Sequence, residues 1–265
     1  MKAVDVDVPT GARVVDDPAE LRRFFADEPA AHIYALGDLE EPYWPASRWL
    51  RRGDAVVGLV GLPGDDLAVY AVATRDEAGT LALLAEVVPA LPPGQLITGP
   101  TGLADCIERA GRAVDWTSPH LRHRLADFQP RREVAVEPLG PDVVEELAAL
   151  YAVEPGSAFF VPFALAEESF VGVRADGQLV AAAGTHVLSL EDRAAAIGAV
   201  FTHPEHRGRG LAHAVTTGVV DRLADRVSTI GLNVAVDNVA ARRVYEALGF
   251  EPFHLYDEAR IADVG

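Results

Sequence analysis

The second half of the chain alternates between two hydrophobic periods. Ile230, Leu232, Val234 and Val236 recur at every second residue, which predicts a strand with Asn233 on its opposite face. Before it, Leu211, Val215, Gly218, Val219 and Leu223 recur at helical spacing. Residues 170–174 and 179–187 are apolar runs on either side of Asp176-Gly177, a strong hairpin turn signal, and 197–202 reads as a further strand. Upstream, 134–136 reads as a short strand and Asp142 as the cap of a helix to about Tyr151, with Glu145 at the capping-box position. A last helix from about Asn238 ends at Leu248-Gly249, with Gly249 just past its end. Between them, 154–168 holds Pro155, Gly156, Phe159, Phe160, Pro162 and Phe163, shows neither period, and reads as irregular.

The first half repeats this order more faintly. Residues 18–26 and part of 30–39 read as helices, and 48–51, 55–62 and 67–73 as strands. A helix over 77–88 stops at Pro89, 96–98 reads as a short strand, and 103–110 as a helix before Gly111. Each half therefore runs helices, three strands, helix, strand, helix, which suggests a diverged tandem repeat. The polar, proline-containing stretch Phe128-Gln129-Pro130-Arg131-Arg132 marks a boundary, giving units of 1–130 and 131–265.

Composition narrows the classes of partner. The 265 residues are 49% hydrophobic, enough for a real core, and their formal charge is −17. The acid excess is spread evenly, about −8 over 1–130 and −9 over 131–265. Such a chain repels a phosphate backbone, so nucleic acid is not expected as a partner. One cysteine, Cys106, excludes an intrachain disulfide and a multi-thiolate zinc site, and no histidine spacing suggests another metal. Residues 1–7 alternate acid with valine and show no signal-peptide core, and no apolar run is long enough to span a membrane. A soluble, cytoplasmic protein without a membrane partner is expected.

The chemistry concentrates in Ala199-Val200-Phe201-Thr202-His203-Pro204-Glu205-His206-Arg207-Gly208-Arg209-Gly210-Leu211-Ala212. A strand ends, a short loop follows, and glycines lead into a helix. Glycine lets a ligand approach the backbone, and the first helical amides have no internal acceptor, so the turn suits a pyrophosphate. Arg207 and Arg209 add positive charge in an otherwise acidic chain. Taken alone, the segment also reads as an exposed tight turn. The second segment runs from Leu232 to Phe250 and holds Asn238, Ala241, Tyr245 and Leu248-Gly249-Phe250.

Together the two segments resemble the GNAT superfamily of acyl-CoA-dependent N-acyltransferases. Arg207, Gly210 and Ala212 match its Gln/Arg-x-x-Gly-x-Gly/Ala signature, and Asn238, Ala241, Tyr245 and Leu248-Gly249-Phe250 match its closing motif. The resemblance covers 131–265 and extends faintly over 1–130, like tandem members with a degenerate amino-terminal unit. It implies an α/β (α+β) fold of two GNAT-like units, each a mixed, mostly antiparallel sheet flanked by helices. It also implies acetyl-CoA as co-substrate, no metal, and an acetyl group moved to a small-molecule or peptide amine by direct attack. The strands 196–202 and 229–235 would splay. Groups near Val200, Phe201 and Thr202 would then bond the pantetheine arm, and the amides of Arg207, Gly208, Arg209, Gly210, Leu211 and Ala212 the pyrophosphate. Asn238 would touch the pantetheine or cap the last helix. Tyr245 would protonate the departing thiolate, or serve only as a core tyrosine sharing a face with Ala241 and Leu248.

No residue is singled out as the base that deprotonates the amine; Glu154, Glu168 and His186 lie on segments that could face the acceptor. In the first half, Val72-Ala73-Thr74-Arg75-Asp76-Glu77-Ala78-Gly79 lacks the glycine spacing, and its acids repel a diphosphate. Tyr34, Tyr43, Trp44 and Trp49 read as packing or as a pocket lining, and Cys106 as buried filler. An acyl-CoA-binding sensor without activity shares the same turn, and a homodimer is left open.

Overall fold

The computed structural model describes residues 6–62, 67–72, 75–156, 158 and 160–263, with the backbone alone at 163. The alternation at 1–5, Ala73-Thr74 of the first-half turn and Phe159 lie outside the described residues. The chain forms two compact units, one of 1–122 with 254–265 and one of 123–253. The division is thus not a single cut near 130, because residues 254–265 belong with the first unit.

In the first unit the elements follow β1 (Arg13–Val15), α1 (Pro18–Phe25), α2 (Ile33–Gly37), β2 (Ser47–Arg52), β3 (Ala55–Gly61), β4 (Leu67–Val72), α3 (Glu77–Val87), β5 (Leu96–Gly99), α4 (Leu103–Arg109) and β6 (Val114–Leu125), which runs past the end of this part of the unit. Asp17 starts α1 by accepting from the Ala19 N–H at 2.9 Å, with Pro18 in the first turn, where a missing N–H costs nothing. β1, β2, β3 and β4 pair antiparallel in order, and a crossover through α3 returns the chain to β5, parallel to β4. β3 is an unbroken apolar run, and every one of its residues is buried. Trp49 is fully buried, edge-on to Phe25 and stacked on Tyr70, so it packs rather than lining an open pocket. Cys106 is buried with its thiol donating to the Leu81 carbonyl, and burial pushes the thiol up, which suits filler.

The second unit repeats the plan with β7 (Glu137–Pro138), α5 (Val144–Tyr151), β8 (Val171–Ala175), β9 (Gln178–Ser189), β10 (Ala194–Thr202), α6 (Leu211–Leu223), β11 (Thr229–Ala235), α7 (Val239–Ala247) and the start of β12 (Phe250–Ile261). β7 to β10 pair antiparallel, and the α6 crossover places β11 parallel to β10. Asp176 and Gly177 both have positive φ, 50° and 81°, as a tight two-residue hairpin turn requires. Val215, Val219 and Leu223 on α6 bury against Val173, Ala183 and Ile197, each large apolar side chain contributing roughly 1.5–3 kcal/mol. The opposite face packs Leu147, Leu150 and Tyr151 of α5 with Phe170, Ala182 and Phe201. Gly218 permits close packing of α6, since a Cβ there would sit 2.8 Å from Val136 and 3.1 Å from Val171.

Two expectations need correction, and two strands go unread in the sequence. The early strand lies at Glu137–Pro138, not 134–136. Asp142 does not cap a helix: Pro141 opens a short 3-10 turn over Pro141–Val143, and α5 starts at Val144 without a side-chain cap. β6 and β12, each twelve residues long, carry charged and aromatic residues on both faces and so show no clean alternation. Residues 257–260 of β12 pair with β5, completing the sheet of the first unit.

Candidate functional site

The site in the second unit begins where β10 parts from β11. Their ladder pairs Ala194, Ala195 and Ala196 with Thr229, Ile230 and Gly231, and no later pair follows. At that point β10 also slips against β9, with register shifts between Ala196 and Ile197 and between Gly198 and Phe201. Ala199, inside this bulge, has φ +51°, a left-handed conformation that a residue with a Cβ rarely adopts. Side chains hold it there from both sides. The His186 Nε2 accepts from the Ala199 N–H at 3.0 Å, and the Tyr151 hydroxyl donates to the Ala199 carbonyl at 2.8 Å. Gly198 makes room for the imidazole, since a Cβ there would lie 2.3 Å from the His186 ring.

Beyond the bulge the chain runs into a row of free amides. His203 donates to Val180 and its ring accepts from Glu205, folding Pro204–His206 into a short turn. Arg207 N–H is spent on the Pro204 carbonyl at 3.2 Å. Gly208 and Gly210 follow with φ +75° and +76°, and around each a Cβ would meet nothing within 4 Å. The first N–H bonded into α6 is that of Ala214, to the Gly210 carbonyl. Among the described residues, the amides of Gly208, Arg209, Gly210, Leu211 and Ala212 have no protein acceptor. Five donors at the positive end of a helix dipole, on backbone open to approach, have the cradle-like geometry that suits an anion. Thr202 adds a buried Oγ1 without a partner among the described residues at the mouth of the same segment.

The two arginines play different parts. Arg207 binds inward: Nε donates to the Thr202 carbonyl at 3.1 Å and Nη2 pairs with the Glu154 carboxylate. Its charge is matched by that pair. Arg209 is exposed and bonds the Glu205 carbonyl at 3.1 Å, leaving its charge beside the cradle. Glu168 is exposed at the end of the Pro162–Glu167 turn, with positive φ and its carbonyl accepting from Arg222. His186 faces the bulge as an acceptor, which requires an unprotonated Nε2.

Asn238 caps α7, its Oδ1 accepting from the Ala241 N–H at 3.1 Å. That is the capping role, and the Nδ2 has no acceptor among the described residues. Tyr245, on the buried face of α7, is 8% exposed and edge-on to Phe250 at 6.2 Å. Its hydroxyl bonds no described protein group, and burial pushes the phenol up to about 12. A phenol so placed remains protonated at neutral pH and is able to donate. Gly249 is required where α7 ends: φ is +90°, and a Cβ would fall 1.7 Å from the Asp127 carbonyl oxygen.

Acetyl-CoA offers a diphosphate to such a cradle and an amide-bearing arm to a parted strand. The five unpaired amides and the orphan Thr202 hydroxyl fit those two groups. The bulge and its two clamps are the part that sequence reasoning missed. Ala199 carries no signal of positive φ, and Tyr151 and His186 are far from it in sequence.

Comparison with known proteins finds a family to which this part of the chain is similar. Residues 141–250 match the family described as Acetyltransferase (GNAT) family. A mycothiol acetyltransferase of Tsukamurella paurometabola is 35% identical over 116 residues, covering 42% of this chain and 37% of that protein. The chain thus spans little more than a third of the length of that curated relative. Among solved structures, a GCN5-related N-acetyltransferase from Sphaerobacter thermophilus superposes with a TM-score of 0.59 at 18% identity, over 98% of both chains. A tandem GNAT protein from the clavulanic acid biosynthesis pathway superposes with a TM-score of 0.55 at 17% identity, over 96% of this chain and 98% of that one. These likenesses concern the fold, and they extend across both units. With the strand parting, the glycine turn and the α7 motif in one unit, residues 141–250 are the part of the chain that is similar to the GNAT family of acetyltransferases.

Proposed function

We propose that the second unit is an N-acetyltransferase that takes an acetyl group from acetyl-CoA and gives it to an amine of a small molecule or peptide by direct attack. The observation that carries this reading is the row of five unpaired amides leading from the parted end of β10 into α6. In the bound state the amides of Gly208 to Ala212 hold the diphosphate, with Arg209 adding charge and Arg207 bracing the turn through Thr202 and Glu154. Val200, Phe201 and Thr202 present backbone and the Thr202 hydroxyl to the pantetheine arm, and the Asn238 amide faces it from the start of α7.

The thioester supplies the activated acyl group. The chain's own contributions are position and a proton. Backbone held in the bulge by His186 and Tyr151 fixes where the donor carbonyl sits, which supplies orientation. Tyr245 gives its phenolic proton to the sulfur as the carbon–sulfur bond breaks, and regains one from solvent. The amine loses its proton to water, since Glu154 is paired with Arg207 and His186 is bonded to the bulge. The reaction needs no metal in this reading.

The first unit, in the same reading, does not bind CoA. Asp76 occupies the start of α3, its Oδ1 accepting from the Gly79 N–H at 2.8 Å. A Cβ at Gly79 would lie 2.0 Å from the other oxygen, so the carboxylate fills the place a phosphate would need. A cytoplasmic setting belongs to the proposal as well, where acetyl-CoA is available; no helix of the described residues is long and apolar enough to cross a membrane. Incubation with acetyl-CoA and a panel of amines, read by free thiol and by product mass, tests the reading. Release of thiol matched by a 42-dalton gain on one amine class supports it (the mass of an acetyl group replacing hydrogen, about 42 by composition). Donor binding without transfer to any amine contradicts it.

A further inference from the structure

The first unit contains a cavity of about 30 Å³ at the place that corresponds to the donor cleft of the second. There too a parallel pair runs in register for three residues, from Ala68↔Leu96 to Tyr70↔Thr98. The next residues, Ala71 and Val72 on β4 and Gly99 and Pro100 at the end of β5, line the opening, while the other edge of β5, from Leu96 to Gly99, pairs with β12. The parting of strands is kept, and the phosphate cradle beyond it is closed by Asp76. What is left is a small chamber whose polar lining is His32, Tyr70, Thr98, Arg122, His254 and Tyr256.

That lining is rich in donors and carries a cation. The Nε of Arg122 is shielded from solvent and has no hydrogen-bond partner among the described residues, although its guanidinium lies over the Tyr256 ring at 4.9 Å. A charged donor left unsatisfied away from water is costly, so it marks a place where an acceptor belongs. Tyr256 donates to Glu258 at 3.2 Å, and the Tyr70 hydroxyl is bonded to the buried Asp38. His32, 3% exposed and stacked on Phe25 at 4.6 Å, is held neutral by burial and by the positive field of Arg122, His254 and Arg75. Glu77 and Glu28 act on His254 in the opposite sense. Burial also holds the Asp38 carboxyl up to about 7, which reduces its negative charge near neutrality.

We infer that this chamber is a binding site for a small carboxylate, held side-on by the Arg122 guanidinium and enclosed by Ala31, Ala35 and Ala71. The planar guanidinium fork matches the two oxygens of a carboxylate, and the volume admits about two to three water-sized positions, the size of formate or acetate. The walls are short apolar side chains that accept a methyl group and leave little room for a longer chain. This site is independent of donor binding in the second unit.

Titrating isotope-labelled full-length protein with sodium acetate, at ionic strength held constant with chloride, tests the inference by amide NMR. Saturable shifts are expected at Thr98, Gly99 and His254, with chloride alone producing none. Arg122→Gln should weaken the titration at least tenfold, and Arg122→Lys, which keeps the charge and loses the fork, should fall between. Gly210→Glu, which alters only the second unit's cradle, should leave it unchanged. Absence of saturable shifts in the wild-type protein, equal shifts with chloride, undiminished affinity in a folded Arg122→Gln protein, or loss of the response in Gly210→Glu would each overturn the site.

Discussion

At the scale of single residues, the proposed chemistry rests on a phenol, and the pH dependence of stability on two buried titratable groups. Tyr245→Phe removes one oxygen from a side chain that bonds no described protein group, so the fold should be kept. Turnover should fall about a hundredfold, the low end for a positioned acid, while donor affinity changes little. Because burial lifts this phenol to about 12, the acid form persists across the neutral range. Its stabilising contribution is complete below pH 10 and is lost only as pH climbs toward 12. In the first unit, His32 is pushed down to about 3 by burial and nearby cations, so its contribution holds above about 6.5 and is lost as pH falls toward 3. Asp38 is raised to about 7 by burial, so its cost is felt above 7 and is relieved as pH falls toward 4. The two run in opposite directions. Asp38→Asn should therefore steepen the loss of stability between pH 6.5 and 4 and raise stability at pH 8, measured by urea unfolding at each pH. An unchanged profile would mean that Asp38 is ionised as readily in the folded protein as in the unfolded one.

Tyr245 and the glycine turn can be picked out in the sequence because their residue types themselves suggest the proposed chemistry. Asn238 was legible only as a pair of alternatives, and the structure supplies the cap. The bulge at Ala199 was not legible at all. Its conformation is imposed by Tyr151 and His186, contacts of tertiary origin that no local pattern encodes.

At the scale of elements, turns and bulges decide where the site sits. Gly210 needs φ +76° to enter α6, so Gly210→Ala should cost about 1–2 kcal/mol even in open space. Gly210→Glu should in addition abolish donor binding, by placing a carboxylate among the free amides. Gly198→Ala has a different mechanism. Its Cβ meets the His186 ring at 2.3 Å, so the imidazole must leave the Ala199 N–H. The expected result is a raised KM for acetyl-CoA with a small loss of melting temperature; an unchanged KM would remove the His186 clamp from donor positioning. Helices and the Asp176-Gly177 hairpin follow their sequence patterns because one face of each is buried or one turn type is forced. β6 and β12 escape the same reading because neither face is purely apolar, as Asp115 and Arg122 on β6 and Asp257 and Glu258 on β12 show.

At the scale of the whole molecule, the same order of elements occurs twice, and the copies have kept different parts. The second unit retains unpaired amides past its parted strands, whereas the first has Asp76 across that place and a small cation-lined chamber in front of it. The charge of −17 is spread over both units, so the local exception at Arg209 and five free amides matters more than the total for a diphosphate ligand. The repeat order was visible in the sequence, but the return of residues 254–265 to the first unit was not, because strand pairing between distant segments leaves no local mark.

Calorimetric titration of the purified full-length protein with acetyl-CoA tests the central claim most directly. Saturable binding of one acetyl-CoA per chain is expected, lost in Gly210→Glu and retained in Tyr245→Phe. No heat from the wild-type protein under conditions where it is folded, or equal binding by Gly210→Glu, would contradict the assignment of the donor site to the α6 cradle.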